Sequence, residues 1–478
     1  MRYADWCVIL AYLAGITWFG ARFRHRQKNL KDYFLGGRTA PWWAIALSIV
    51  SAETSTLTII GTPVLAFGGD FGFLQVVFGY LLARVIVSLV FLPAYFRGEM
   101  FTAYELMQVR FGLRIRKVTA ATFLVVRACA EGVRVFAISI VISIVLGTGE
   151  LASIALILCL TVFYTFEGGM TAVIWTDVVQ MFLGVSGAVI GFFTILHQIP
   201  GGWAHVAAVA APLGKLRVFD FGFDLARPYT FWAGLVGGCF LSTASHGTEQ
   251  LMVQRLLAAR DERQSRKALF ASWAVVFVQF GLFLLIGLLL FVVHSDRRLP
   301  APRPLDRLYP EFVWNSLPHG LAGLAIAAIL AAAMSNLSAA LNALASTTVL
   351  DFGEWLRRKS PGAALDLRIA RAATVAWAAV LFVIGAFARH WGGVLETGLT
   401  IASIAYGGLL GVFLLGMLPR RIPENAAIAG MVAGVGVEVY LKLGTHIAWT
   451  WYAAIGTAVT MATALLVSPL LEGVPRDR

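Results

Sequence analysis

A run of polar residues inside an apolar stretch is the first place where this sequence could do chemistry. The segment AAAMSNLSAALN, Ala331 to Asn342, lies within an apolar run from Leu321 to Leu350 that is long enough to cross a bilayer. It carries hydroxyl and amide side chains at helical spacing: Ser335, Asn336, Ser338 and Asn342. In hydrocarbon such groups need partners, which a neighbouring helix or a cavity in the protein supplies. The pattern alone leaves both open.

Ionisable residues within another apolar block form a second candidate. Arg127, Glu131 and Arg134 are spaced i, i+4, i+7 and so share one face of a helix. A charge at the bilayer centre costs ~2.5–3.5 kcal/mol on insertion scales, so such groups are functional candidates by default. Either Glu131 neutralises both arginines in a buried network, or one arginine stays available to grip a carboxylate.

The elements that must position these residues are membrane helices. The 478-residue chain is 59% hydrophobic and 13% charged, whereas soluble domains are roughly 45–50% apolar and about 25% charged. A bilayer-spanning helix needs ~20 apolar residues. We find thirteen such blocks, at about 4–22, 42–66, 72–96, 117–146, 150–167, 173–196, 229–250, 268–293, 318–350, 367–388, 395–418, 425–443 and 448–470. They leave no room for a separate soluble domain, which predicts an all-α polytopic membrane protein.

The net charge of +12 follows the membrane topology. With the amino terminus outside and the carboxyl terminus inside, most Lys and Arg residues fall in cytoplasmic loops, as the positive-inside rule requires. In that assignment Arg255 belongs to a loop. We therefore expect the plasma (inner) membrane as location, the bilayer and a small solute as partners, no nucleic acid, and a monomer as sufficient.

The second and seventh apolar blocks share an unusual pattern. Ser48–Pro63 and Leu235–Gln250 each interrupt the apolar run with Gly and a cluster of hydroxyl, amide and acidic residues. Two interrupted helices in matching positions are typical of the binding site of a secondary transporter with inverted repeats. Polar residues that merely hold helices together are the alternative. The first interpretation divides the chain into a peripheral helix with a basic loop, two inverted repeats and two peripheral helices, at 1–40, 41–200, 201–421 and 422–478.

Five local motifs then resemble one family. They are DYFLGGR (Asp32–Arg38), TAYELMQVRFG (Thr102–Gly112), EGGMTAVIWTDVVQ (Glu167–Gln180), TEQLMVQRLLAAR (Thr248–Arg260) and AAAMSNLSAALN. In order and spacing they closely resemble the sodium:solute symporter family, over roughly residues 32–421. The family includes transporters of proline, sugars, sialic acid, iodide and monocarboxylates. The resemblance implies a five-plus-five inverted-repeat core of the leucine-transporter type.

The resemblance also implies a sodium site between the second and ninth blocks. It assigns backbone carbonyls to Ser51, Thr54 and Ala332, and side-chain oxygens to Ser335 and Asn336. A small hard cation takes about five or six oxygens, and neutral ones replace its water without adding charge. The family usually has Ser-Ser or Ser-Thr where this chain has Ser335-Asn336, which predicts an altered site.

A second sodium, as in some relatives, is not expected here. Ser338 matches one of its ligands, but the adjacent position is Ala339. Asp177 matches an acid of that region, although an acid at the inner edge of a span could equally be a cap that faces water. We therefore expect one coupling Na⁺ and no organic cofactor.

Solute-binding candidates lie beside the two interruptions. They are Glu53, Ser55, Thr58, Phe73, Gln75, Ser245, His246 and Glu249. Ser55 and Thr58 match positions that touch substrate in sialic-acid-type relatives, whereas the arginine that binds the carboxylate there is matched by Ala130. His246 is either a structural histidine or part of the substrate site or gate.

The expected function is sodium-coupled import of a sugar or small carboxylate by alternating access. A proton-coupled symporter, with Glu53, His246 or Glu249 as proton carrier, is the closest alternative, and a transporter-like sensor is another. A membrane enzyme is disfavoured because the sequence has no His-Glu metal motif and no nucleophile–base signature in its loops. Cys7, Cys129, Cys159 and Cys239 lack the spacing of a disulfide framework or a zinc site.

Overall fold

The described backbone is helical, as the sequence predicts. The computed structural model describes residues 3–21, 38–97, 103–164, 170–352 and 363–472, so residues 32–37 of the DYFLGGR motif and the side chain of Ser335 lie outside the description. Within these ranges one isolated parallel bridge, Ala40 to Ala259, is the only strand-like pairing. Helices dominate because each satisfies its own backbone groups, which lipid cannot do.

We number the helices in chain order. They are α1 (Tyr3–Ala21), α2 (Trp42–Glu53), α3 (Thr56–Gly68), α4 (Leu74–Ile86), α5 (Leu92–Phe96), α6 (Ala103–Arg110), α7 (Leu113–Leu146), α8 (Glu150–Tyr164), α9 (Met170–His197), α10 (Gly202–Ala210), α11 (Phe231–Thr248), α12 (Gln250–Leu257), α13 (Glu262–Asp296), α14 (Leu308–Ser316), α15 (Leu321–Thr347), α16 (Ala363–Ala388), α17 (Val394–Met417), α18 (Glu424–Gly444) and α19 (Tyr452–Glu472). A π-helical turn, Val87–Phe91, joins α4 to α5.

Among the described residues, nine helices are long and apolar enough to span a membrane. Helices α2 and α3 pass the same test as a pair bent by 65°, which raises the number to ten. Two shorter apolar helices, Tyr3–Ile16 and Glu150–Val162, fall below the length threshold. The chain is therefore a multi-pass membrane protein.

The bent pair packs against several of the long helices. Helix α2 packs against α9 and α13, α3 against α13 and α17, and α11 against α4 and α17. Small residues permit these contacts: a Cβ added at Gly79 would lie 2.6 Å from the Leu235 carbonyl oxygen, and one at Gly61 would lie 2.5 Å from Leu395 Cβ. Such close approach of backbones is typical of helices packed in a membrane.

Helix α1 holds the start of α15. The carboxylate of Asp5 accepts hydrogen bonds from the backbone amides of Gly320 (2.7 Å) and Gly323 (2.9 Å). These amides have no partner inside α15, and a carboxylate is the group that best satisfies them. The contact fixes the helix that carries Ser335 and Asn336.

Candidate functional site

The first break in a helix falls at Thr54 and Ser55. Helix α2 ends at Glu53, Thr54 (φ −83°, ψ 76°) is not helical, and Ser55 is extended. The Ser55 amide donates to the Glu53 carbonyl at 3.0 Å, not to Ser51 four residues back. The Ser51 carbonyl is thereby released from the helical ladder. The Thr54 hydroxyl donates to Gln279 Oε1 at 2.7 Å, which fixes the break against α13.

A small cavity of about 40 Å³ adjoins this break. Ser51, Thr54 and Ala332, the three residues to which the resemblance assigns sodium-binding carbonyls, all line it. Its other polar lining comes from Gln180, Gln279 and Tyr309. Asn336 does not line it and faces a larger cavity instead. The structure thus brings the predicted carbonyl residues together and separates Asn336 from them.

The second break is a single residue, Glu249. Helix α11 ends at Thr248, Glu249 is extended (φ −84°, ψ 126°), and α12 starts at Gln250. The Glu249 carboxylate accepts from Arg127 on α7 (2.6 Å) and from the Tyr406 hydroxyl on α17 (2.6 Å). Three helices therefore meet at this carboxylate.

A larger cavity of about 170 Å³ lies between the two breaks. Most of the predicted solute and ionisable candidates line it: Glu53, Ser55, Thr58, Phe73, Ser245, His246, Glu249, Arg127 and Arg134. Aromatic and aliphatic side chains form the rest of its wall, including Tyr80, Phe280 and Leu399. A mostly apolar wall with a few convergent polar groups is typical of a small-molecule site.

Gln75 lies elsewhere. Its amide nitrogen donates to the carbonyls of Gly72 (3.1 Å) and Tyr229 (2.9 Å), and its oxygen accepts from the Asp220 amide (3.0 Å). Gln75 holds the loop between α10 and α11 against the start of α4 and does not line the larger cavity. Ser338 lines neither cavity.

The arginines on α7 differ in their partners. Arg127 contacts two carboxylates, Glu131 (2.9 Å) and Glu249 (2.6 Å). Arg134 contacts one, through Nη1 to the same Glu131 oxygen. The Nε atoms of both arginines have no hydrogen-bond partner among the described residues. Glu131 thus contacts both arginines, and Glu249 supplies the second negative charge of the network. Arg134, with a side chain 24% exposed, is the more accessible of the two arginines, and whether it binds a carboxylate stays a prediction.

Asp177 is not the water-facing cap that its position allowed. It is 3% exposed and accepts from Ser48 (2.6 Å), Ser51 (3.4 Å) and Arg255 (3.1 Å). The assignment of Arg255 to a loop is wrong, because α12 extends to Leu257 and buries that side chain to 3% exposure. The pair joins α9 to α2 and α12, one segment of each broken helix.

The comparisons with known proteins agree with the motifs. A model of the sodium:solute symporter family matches residues 33–434. The chain belongs to this family. The human sodium/iodide cotransporter is 29% identical over 457 residues, which cover 92% of this chain and 69% of that protein. The sodium/sialic acid symporter of Proteus mirabilis is 26% identical over 485 residues, which cover 98% of this chain and 95% of that protein.

One solved structure of the same kind is similar throughout. A substrate-bound, outward-open state of a Na⁺-coupled sialic acid symporter superimposes with a TM-score of 0.83 at 26% identity and covers 98% of both chains. The fold of that symporter therefore extends over 98% of this chain.

Arg84 is the main residue of this family member that sequence reasoning missed. It is fully buried on α4 and donates to both carboxylate oxygens of Glu53 (2.7 and 2.8 Å) and to Ser242 (2.5 Å). His246 completes the cluster, with Nδ1 3.3 Å from Arg84 and Nε2 3.3 Å from Glu53. The signal was present, since an arginine within an apolar span is itself a functional candidate. Tyr406 carries no such signal, because a tyrosine in an apolar helix is usually core.

Proposed function

We propose that this chain is a sodium-coupled symporter that imports a small organic solute by alternating access. The observation that carries the proposal is the pair of adjacent cavities at the broken helix. The smaller is lined by Ser51, Thr54 and Ala332, and the larger by Ser55 and Thr58 on the other side of the same break. A cation bound at the first orders the backbone that forms the second, which couples the two binding events as one free energy.

The proposed cation site holds one Na⁺. Carbonyls of Ser51, Thr54 and Ala332 bind it, with the Ser335 hydroxyl from α15. No second sodium is proposed, because Asp177 is neutralised by Arg255. Release inward accompanies movement of α15 away from the break.

The proposed solute carries a carboxylate that binds Arg134. Arg84 is fully buried and donates through Nη2 to both Glu53 oxygens, and Arg127 contacts two acids. Arg134 contacts a single acid, whose oxygen it shares with Arg127, and its side chain is 24% exposed in the wall of the cavity. Guanidinium groups bind carboxylates strongly, with paired hydrogen bonds. The relatives described above are named for iodide and sialic acid, which are both anions at neutral pH. Hydroxyls of Ser55 and Thr58 hydrogen-bond the rest of the solute.

One sodium with one carboxylate moves no net charge. The driving force is then the sodium concentration ratio alone. Each tenfold sodium ratio supplies ~1.4 kcal/mol, which permits a tenfold accumulation of the solute. The membrane potential does not contribute, because charge times potential is zero. This is a specific consequence of the proposed stoichiometry.

The proposed topology has thirteen spans, with the amino terminus outside. The two short apolar helices and the α11–α12 pair join the ten spans described above. Residues 41–200 and 201–421 form the two inverted repeats, each opening with a broken helix. A monomer suffices for transport.

Uptake by proteoliposomes tests the proposal. Labelled carboxylates, including a sialic acid and short monocarboxylates, are compared with neutral sugars under inward sodium, potassium or proton gradients. We expect carboxylate uptake under the sodium gradient alone, with no acceleration by an inside-negative potential. Arg134→Gln should raise the KM at least tenfold, whereas Arg389→Gln, at an exposed arginine, should not. Uptake that persists in potassium or follows the proton gradient would contradict the proposal.

A further inference from the structure

Three phenylalanines between α10 and α11 form an exposed strip. Phe219, Phe221 and Phe223 are 46%, 65% and 70% exposed. The rings of Phe219 and Phe221 stack almost in parallel, with centroids 5.8 Å apart, so residues two apart share a side, as in an extended chain. Phe223 packs against Trp451, which immediately precedes α19, with ring centroids 6.0 Å apart. Contiguous exposed apolar side chains of this kind mark an interaction surface.

The phenylalanine strip continues the lipid-facing surface of α4. The Phe219 ring stacks on that of Phe78, with centroids 5.7 Å apart and planes inclined by 14°. Phe78 begins a row of apolar side chains along one face of α4 and the π-helical turn after it, whose exposed members are Leu82, Val85 and Leu89. The helix Leu74–Phe96 is long and apolar enough to cross a membrane. This row therefore faces lipid, and the strip adjoins it.

The depth of the strip follows from the same contact. Arg84, six residues after Phe78 on the same helix, donates to Glu53 at the first break, and breaks of this kind lie near the midplane of the bilayer. At 1.5 Å per residue, Phe78 is at most roughly 9 Å from that level. Half of the hydrocarbon core is about 15 Å thick. Phe78 thus lies within one leaflet, and the ring of Phe219 stacks on it there.

The backbone that carries these rings is held by the protein. The Asp220 amide donates to Gln75 Oε1 (3.0 Å), and the Asp220 carbonyl accepts from the Phe231 amide (2.7 Å). The Asp220 carboxylate accepts from Arg227 and from the Gly222 amide. Non-helical backbone is not tolerated where it is exposed to hydrocarbon. The rings can therefore enter the leaflet while the backbone stays at its surface, as in the aromatic belts of membrane proteins.

We propose that the phenylalanine strip inserts into the leaflet on this side of the membrane, which is the outer leaflet in the topology proposed above. Lipid chains cover the three rings. Arg217 and Arg227, whose side chains are 54% and 49% exposed, lie at the level of the headgroups. The anchor also holds the edge of the larger cavity, because the Tyr229 ring lies 5.7 Å from that of Phe73 in the cavity wall. It does not depend on which ion or solute is transported.

Nitroxide labels on the protein in lipid nanodiscs measure the depth of the strip. The four native cysteines are replaced, and Phe221→Cys is labelled. Asp224→Cys is the matched control, because Asp224 is exposed on the same segment and adjacent side chains of an extended chain point to opposite sides. Oxygen partitions into hydrocarbon, whereas a neutral nickel chelate stays in water. We expect the ratio of relaxation by oxygen to relaxation by nickel to be several-fold higher at position 221 than at position 224.

Two further measurements keep the test decisive. Phe223→Cys repeats it at a second ring and should match Phe221→Cys, and the melting temperature of each variant should equal that of the cysteine-free parent. A ratio at positions 221 and 223 no higher than at 224 would overturn the proposal, because the strip would then lie in water. Strong dipolar broadening between labels at position 221 in proteoliposomes would also overturn it and would identify a second copy of the chain as the partner.

Discussion

Arg84 donates to both carboxylate oxygens of Glu53, the last residue of α2 before the chain breaks. The second break is held in a comparable way, since Glu249 accepts from Arg127. A glutamate therefore lies at each break, immediately before the first and within the second, and an arginine from another helix neutralises it. A buried pair of this kind is costly to break by removal of one partner, because an uncompensated charge remains.

The Glu53–Arg84 pair predicts strong asymmetry between single and double variants. Glu53→Gln or Arg84→Met alone leaves one buried charge, and we expect each to cost ~3–5 kcal/mol of stability and to abolish uptake. The double variant leaves no charge and should recover most of the melting temperature. Thermal unfolding of the three purified variants measures this, and a double variant that is as unstable as the sum of both single variants would count against the pair.

The contact between Tyr406 and Glu249 predicts an effect of a single hydrogen bond on transport. Tyr406→Phe removes one hydrogen bond to a charged group, worth about 1.5–3 kcal/mol, while Arg127 still neutralises Glu249. We expect uptake to fall by roughly tenfold or more. Tyr440→Phe, at a 64% exposed tyrosine on α18, is the matched control and should leave uptake unchanged. Equal uptake by both variants would show that the hydrogen bond between Tyr406 and Glu249 is dispensable for transport.

Close packing of α3 against α17 predicts that a larger residue at their contact increases access to the larger cavity. A Cβ at Gly61 would lie 2.5 Å from Leu395 Cβ, and Leu395 lines that cavity. Gly61→Ala must therefore push α17 away from α3. The test uses a protein whose four native cysteines are replaced and that carries Leu399→Cys. The new thiol should react several-fold faster with a membrane-impermeant thiol reagent, added outside, when Gly61→Ala is also present. Gly436→Ala, which meets nothing within 4 Å, is the control. An unchanged reaction rate in Gly61→Ala would contradict the prediction that the contact between Gly61 and Leu395 limits access to the larger cavity.

Asp306 predicts a pH dependence of stability. Burial raises the pKa of its carboxyl to about 6. The hydrogen bond from the Val394 amide opposes this shift, and the negative charge of Glu396 adds to it. The folded state therefore keeps a proton that the unfolded chain releases near 3.8. Stability should fall as pH rises from about 4 to about 6, by about 3 kcal/mol, and then level off.

Asp306→Asn should remove this dependence. The amide keeps an acceptor for the Val394 amide, 3.3 Å away, but cannot ionise. We expect its melting temperature to match the wild type near pH 4 and to exceed it at pH 7. Asp224→Asn alters an exposed carboxylate that also accepts from a backbone amide, that of Ala226 at 2.8 Å, and should leave the difference between pH 4 and pH 7 intact.

The sequence predicted the membrane helices and the regions of both breaks because these depend on local composition. Gly, hydroxyl and acidic residues interrupt the apolar runs within Ser48–Pro63 and Leu235–Gln250, and the chain unwinds within both stretches. The resemblance assigned Ser51, Thr54 and Ala332 to one site, and they do line one cavity. Their role as sodium ligands stays a prediction.

Long-range partners could not be read from local pattern. Gln75 looked like a cavity residue, but the course of a loop more than 140 residues later decides its hydrogen bonds. Arg255 looked like a loop residue until α12 buried it against Asp177, 78 residues away. Asn336 sits beside Ser335 in sequence, yet the rotation of α15 turns it into the larger cavity. Partner choice depends on how the helices pack, which no local window contains.

The sodium dependence of uptake by Ser335→Ala tests the central claim most directly. Initial rates of uptake by proteoliposomes are measured as a function of external sodium concentration at saturating solute. The variant is compared with the wild type once the two purified proteins are shown to have the same melting temperature. We predict a saturable sodium dependence whose half-maximal concentration rises at least tenfold in the variant, with the solute KM at saturating sodium nearly unchanged. Identical sodium dependence of the two proteins would contradict a cation site between the broken helix and α15.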